Sequence, residues 1–282
     1  MDKNNPKKIN LFGFGVIMYG FVNLLIRHPK DFTTLLGHMF SDYFIEQYKP
    51  TNKIRYIDSD LEKYIIPQSW AVLSYLSFIP FFIGSLGFLK LRFGNKTNQD
   101  VCLFLKDLQI FFSDARFIFE NAPTKLQHRP SPGFALKALH FIDRPRNCFP
   151  SLHVILTSYS YLKTNELIKK YSSDDKIHSL ARSFLFDWAL RIIESCLLTK
   201  QHGVRDIAGA LAVVSAKCPQ FNKEDTKEMF NLIFSHQLYG LSQNSIDLLR
   251  KEIDSVYCEL LVGIDNQNGD YRSTLIAYAK SV

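Results

Sequence analysis

Apolar residues gather along the chain in blocks divided by charged or proline-bearing connections. Leu11 to Ile26 is apolar, follows Lys3, Lys7 and Lys8, and is closed by Arg27-His28-Pro29-Lys30 with no small-residue cleavage site, so it reads as an uncleaved anchor. Trp70 to Leu89 carries no charge over about twenty residues, enough helix to cross a bilayer core of about 30 Å. Less apolar blocks follow near 101 to 119, 149 to 163, 180 to 199 and 206 to 217. The pattern predicts an all-α fold, read as a polytopic membrane bundle of about six transmembrane helices over residues 1–219. Past Pro219, Asp225 to Tyr239 and Ser245 to Val262 repeat apolar positions at steps of three and four, and Ser245 suits an N-cap. These predict two amphipathic helices in a cytoplasmic tail over residues 220–282.

Charges inside the weaker blocks need partners, since each costs roughly 2.5–3.5 kcal/mol at the centre of a spanning helix. Asp187, Arg191 and Glu194 lie at helical steps that let them neutralise one another, and Lys106, Asp107, Asp114 and Arg116 are expected to point into the bundle. A mean hydropathy of -0.06 also suits a helical protein with two apolar core helices and no spans, although the polar tail dilutes that average. Basic residues fall in alternate connections: Lys3, Lys7 and Lys8, then Lys90, Arg92 and Lys96, then Lys163, Lys169, Lys170 and Lys176. The positive-inside rule makes these connections and both termini cytoplasmic, and brings the segments around Lys137 to His153 and His202 together on the non-cytoplasmic face of an integral, multi-pass protein.

With 46% hydrophobic and 14% aromatic residues the chain can bury a substantial core. The net charge of +7 comes without basic blocks interleaved with aromatics, which argues for membrane lipids and against nucleic acid as a partner. The five cysteines show no paired spacing and are expected to be mostly buried thiols, neither a disulfide framework nor a zinc site.

The candidate chemistry lies between Lys137 and Asp206. Lys137, Arg144 and Pro145 come first, then Pro150, Ser151 and His153, then Ser195, His202 and Asp206. Phosphoryl transfer needs such a set: cationic donors clamp the spread negative charge, one imidazole attacks phosphorus, and another protonates the departing oxygen. His202 and Asp206 are four apart, so on a helix the carboxylate can hold the imidazole N–H and fix its tautomer. Pro150 suits a helix start, which puts Ser151 and His153 where free backbone N–H groups attract an anion.

In order and spacing these blocks resemble the signature of the type 2 phosphatidic acid phosphatase superfamily: Lys, six residues, Arg-Pro; then Pro-Ser-Gly-His; then Ser-Arg, five residues, His, three residues, Asp. Leu152 stands in the glycine place and Cys196 in that of the second arginine. Thr199-Lys200-Gln201-His202 looks like the inositol phosphorylceramide synthase-like branch, with Lys200 offering the missing charge, and Asp60 with Ile66-Pro67 is a weaker echo of that branch. The resemblance spans about residues 58 to 215.

It implies a metal-independent lipid phosphate phosphatase with no cofactor, acting on phosphatidate-like or isoprenoid phosphates. In that scheme His202 is the nucleophile oriented by Asp206, His153 is the acid, and Lys137, Arg144, Ser151 and Lys200 hold the phosphoryl oxygens. The same apparatus would serve a phosphotransferase that passes a phospho-headgroup to a lipid alcohol, or survive in a non-catalytic membrane protein. Elsewhere the bland assignment is preferred: His128, His140 and His178 as hydrogen-bonded structural residues, Lys125, Arg129 and Arg146 as solvated loop charges, and Cys196 as packing. Arg205 stays open between the two.

Overall fold

The computed structural model describes residues 13–48, 54–127, 129–144, 146–172, 175–221, 223–235 and 240–282; Lys3, Lys7, Lys8, His128, Pro145 and Tyr239 lie outside them, as do the side chains of Lys176 and His178. Every apolar block becomes helix. α1 (Phe14–Arg27) is followed by α2 (Pro29–His38), opened by Pro29 where no N–H is needed, and by a π-helical turn over Met39–Ile45. A 3-10 turn, Asp60–Tyr64, is capped by Ser59, whose hydroxyl accepts from the Leu61 N–H at 3.2 Å. The charge-free block splits at Ser77 into α3 (Ala71–Leu76) and α4 (Phe78–Phe93), with Pro80 tolerated in the first turn of the second piece.

There follow α5 (Asn98–Asn121), α6 (Phe134–Ile142), α7 (Leu152–Tyr171), α8 (Asp175–Leu198), α9 (Val204–Lys217), α10 (Lys223–Asn231), α11 (Gln243–Asn266) and α12 (Tyr271–Ser281). Among the described residues the strands are two short ones in parallel, β1 (Arg55–Tyr56) and β2 (Thr124–Lys125), so the fold is all-α as expected.

α7 is the axis. Every side chain from Leu152 to Leu162 is buried, with α4, α5, α8 and α9 packed around it. A helix enclosed on all sides has no solvent face and shows no amphipathic rhythm, so its sequence resembles a spanning segment. No helix among the described residues is long and apolar enough to cross a membrane, and the six-span placement finds no support in them. α4, the longest charge-poor piece, has 16 residues, about 24 Å at 1.5 Å per residue.

The interior charges are handled by tertiary contacts. Asp187 and Arg191 are exposed, while fully buried Glu194 accepts the Phe234 N–H at 2.7 Å; the expected mutual neutralisation gives way to a contact with the C-terminal segment. Asp107 accepts from the Tyr159 hydroxyl inside the bundle and Asp114 from Tyr271, but Lys106 is exposed, and Arg116 pairs with Asp42 at 3.1 Å and Glu120 at 2.9 Å.

The tail joins the same buried core, which runs from Leu24 to Ala279. α11 lies along α9, fixed by hydrogen bonds of 2.8–2.9 Å among Ser215, Thr226 and Tyr257. Arg205 at 3.5 Å from Glu252 belongs to this junction. Ser242, three residues before the expected Ser245, caps α11, and α12 has no counterpart in the sequence expectation.

α1 meets α4 through glycine. A Cβ on Gly87 would lie 2.5 Å from the Val16 carbonyl oxygen, and one on Gly20 would lie 2.4 Å from that of Ile83. Both obstructing atoms are backbone, so neither can rotate away. Gly87→Ala is expected to cost about 1–3 kcal/mol by overpacking, read as a lower urea midpoint at unchanged slope. An unchanged midpoint would show that the two helices separate freely.

Candidate active site

Two helix starts and one tight turn build the site. Ser151 is the N-cap of α7, its hydroxyl accepting the Val154 N–H at 3.3 Å, and its own N–H reaches the Asp206 carbonyl at 3.1 Å, which ties α7 to α9. His153 sits in the first turn of α7. α8 ends in a turn in which the Gln201 and His202 N–H groups both reach the Cys196 carbonyl, at 3.2 and 3.1 Å. Lys200 adopts φ 56 there, a left-handed conformation usually left to glycine at a helix end.

The Lys200 side chain is buried beneath this turn. It is 2% exposed, donates to the Glu62 carbonyl at 2.6 Å, and stands 3.8 Å from the Glu62 carboxylate. Burial raises the Glu62 pKa to about 7, against the pull of Lys200 and of the Val204 N–H that Oε1 accepts at 2.7 Å. Gly203 is required beside it, since a Cβ would fall 2.7 Å from Glu62 Oε1. Lys200 is thus an internal counter-ion at the base of the turn that carries His202.

The two histidines face each other with ring centroids 5.6 Å apart, His153 3% and His202 4% exposed. His202 Nδ1 lies 3.0 Å from the Cys148 carbonyl, an acceptor only, so Nδ1 carries the proton. Asp206 Oδ2 is 3.7 Å from Nδ1 and accepts the Gly203 N–H at 2.7 Å. The expected Asp206–His202 hydrogen bond is therefore replaced by a carbonyl; Asp206 stands 3.7 Å from the ring and holds the start of α9. His202 Nε2 is buried with no hydrogen-bond partner among the described residues.

His153 has a different set of partners. Tyr75 stacks on it at 4.2 Å, and the Tyr75 hydroxyl lies 3.2 Å from Nδ1 while donating to Asp143. Asp143 also accepts from Tyr43 and Gln47, each at 2.8 Å. Because the Tyr75 proton goes to the carboxylate, His153 Nδ1 must be the donor to the phenol oxygen. Burial, opposed by Asp143 and aided by His202, lowers the His153 pKa to about 3. A narrow apolar crevice of about 10 Å³, room for about one water molecule, reaches His153 between Met39, Tyr43, Phe78, Phe112, Leu152 and Leu156.

The cations are distributed otherwise than their spacing suggests. Lys137 is exposed on α6, at helical steps from exposed Phe134 and Phe141, and Arg144 is exposed with its guanidinium 4.2 Å over the Tyr48 ring. Arg129, expected to be a solvated loop charge, turns inward: Nε donates to the Lys200 carbonyl, Nη2 donates to Gln201 Oε1, and Nη1 is buried without a partner among the described residues. Burial lowers its pKa. His140 donates to the Thr199 carbonyl at 2.7 Å, the structural role expected of it, and Cys196 is fully buried.

Sequence inspection missed Tyr75, Asp143 and Glu62, and read Arg129 as a solvated loop charge. Asp143 left a signal, a carboxylate next to Arg144 inside the first cationic block; Glu62 left a displaced one, two residues beyond Asp60. No group of three or more His, Cys, Asp or Glu side chains among the described residues is placed to hold a metal. No protein-family model, curated protein or solved structure matches the chain.

Proposed function

We propose that this protein is a phosphoryl-transfer enzyme that hydrolyses lipid phosphates through a phosphohistidine. The observation that carries the proposal is the histidine pair, with ring centroids 5.6 Å apart and His202 Nε2 buried and unpartnered among the described residues. A neutral imidazole with its Nδ1 proton committed to a carbonyl keeps the Nε2 lone pair for attack. Attack forms a P–N bond and breaks the bond from phosphorus to the lipid oxygen, which takes the Nε2 proton of His153. Water then attacks phosphorus and gives its proton to His153, the P–N bond breaks, and phosphate leaves a neutral His202.

His153 is neutral before substrate arrives, with its pKa held near 3. A phosphate dianion beside His153 favours the charged form, so His153 gains its proton as the substrate binds. Exposed Leu73 and Leu76 on α3, with Phe134, Phe141 and Ile142 on the neighbouring α6, support contact with lipid, and Lys137 among them suits an anionic interface. Such contact needs no spanning helix. The near-complete burial of both imidazoles also favours transfer to a lipid alcohol, since water is kept from the intermediate.

The test is phosphate release by the full chain, in detergent with EDTA, from a panel of lipid phosphates, beside transfer of a labelled headgroup to an added lipid alcohol. Release, or transfer, without metal is expected. Absence of both overturns the proposal.

A further inference from the structure

Arg129 packs against the turn that carries His202 with its hydrogen-bonding capacity only partly used. Its planar guanidinium is fixed along one edge, Nε to the Lys200 carbonyl and Nη2 to the Gln201 side chain, and Gln201 is itself anchored by donating to the Asp143 carbonyl at 3.1 Å. Both anchors immediately precede His202 in the chain, so the cation and the nucleophile ride on one rigid turn. Tyr75, Asp143, Tyr43 and Cys148 all lie within electrostatic reach of the guanidinium. Tyr75 is the partner of His153 and Cys148 that of His202. The guanidinium is therefore electrostatically coupled to a support of each imidazole, and its Nη1 is buried with no partner among the described residues.

A buried N–H donor left unmade costs free energy comparable to a lost hydrogen bond, and more when the group is charged. His202 Nε2, an acceptor once Nδ1 carries the proton, is likewise buried without a partner among the described residues. An oxyanion bonded to phosphorus would complete both: the phosphorus in line with Nε2, an oxygen on Nη1.

We propose that Arg129 is the cation that binds the transferring phosphoryl group, in place of the exposed Lys137 and Arg144 and of Lys200, which is committed to Glu62. This inference rests on the phosphoryl-transfer chemistry proposed above. It assigns the arginine absent at Cys196 to a different part of the chain, the segment between α5 and α6. A preformed donor costs no reorganisation during reaction, and a guanidinium suits phosphoryl oxygens better than an ammonium because its N–H groups are fixed in a fork.

The experiment compares the full chain with Arg129→Gln, Arg129→Lys and Arg129→Ala, measuring kcat/KM on the best lipid phosphate and inhibition by orthovanadate, which mimics the transferring group. Loss of this donor is expected to lower kcat/KM by about 100- to 1,000-fold and weaken vanadate inhibition in parallel, with lysine recovering only part. Added guanidinium is expected to restore activity to Arg129→Ala; a strut that merely holds the turn would not respond to it in this way. Arg129→Gln with kcat/KM and vanadate inhibition within about twofold of the parent overturns the inference. So does a depressed Arg129→Ala that guanidinium leaves unchanged while vanadate inhibits it as it does the parent. A parent chain that releases and transfers no phosphate and is blind to vanadate overturns the phosphoryl-transfer proposal, and the role of Arg129 with it.

Discussion

Replacing His202 with alanine is expected to lower phosphate release by at least about four orders of magnitude, because the substitution removes the atom proposed to bond to phosphorus. The same variant should yield no acid-labile phosphoryl-enzyme in a rapid quench. His153 variants separate from it by leaving group. His153→Gln should cost about 100- to 10,000-fold on a lipid phosphate, whose alkoxide needs a proton, and much less on p-nitrophenyl phosphate, whose phenolate departs unaided. Asp206→Asn should be the mildest of the three: its carboxylate is 3.7 Å from His202 Nδ1, and the tautomer is set by the Cys148 carbonyl at 3.0 Å. A loss at Asp206 as deep as at His202 would mean that the carboxylate moves onto the ring during turnover. Equal losses for His153→Gln on both substrates would remove its role as acid.

Much of this arrangement was legible from residue order. All the apolar blocks became helices, and the blocks containing His153 and His202 converged, since a helix start at Ser151 and another just after His202 are local features that the sequence marks with Pro150, Ser151, Gly203 and Asp206. Burial and membrane insertion were not separable in the same way. α7 is apolar because protein surrounds it, and lipid would ask for similar residues.

The placement of the cations was not legible either, for a related reason. Lys137 and Arg144 carry the right spacing, but which way a side chain leaves α6 or the segment after it is decided by what packs there: Leu136 and Leu139 take the inward face of α6, and Tyr48 takes the Arg144 guanidinium. Arg129 could not be found from its neighbours, because its anchors, Lys200 and Gln201, are some seventy residues away in sequence. Glu62 was missed likewise, its partners being Lys200 and Val204.

That distant pair leads to the second large effect. Lys200→Met is expected to destabilise the fold by about 1–1.5 kcal/mol at pH 8, since it leaves Glu62 buried without its counter-ion and the folded form must then keep it protonated. The pH dependence follows from Glu62, whose pKa burial raises from 4.5 to about 7 in the intact protein. A group with a raised pKa in the fold contributes stability that is fully present below its unfolded value and is lost as pH rises through the folded value. In the parent the loss therefore falls between about pH 4.5 and 7. Without Lys200 the folded value climbs further, so the loss continues into the alkaline range, and at pH 5, where Glu62 is protonated in both proteins, the variant should lie close to the parent. Glu62→Leu combined with Lys200→Met should recover most of the stability at pH 8, because two apolar side chains replace two desolvated charges. Urea unfolding of the three proteins at both pH values decides it. If Lys200→Met loses the same amount at pH 5 and pH 8, the lysine holds the turn by packing and not by neutralising Glu62, and the double variant should then fare no better than the single one.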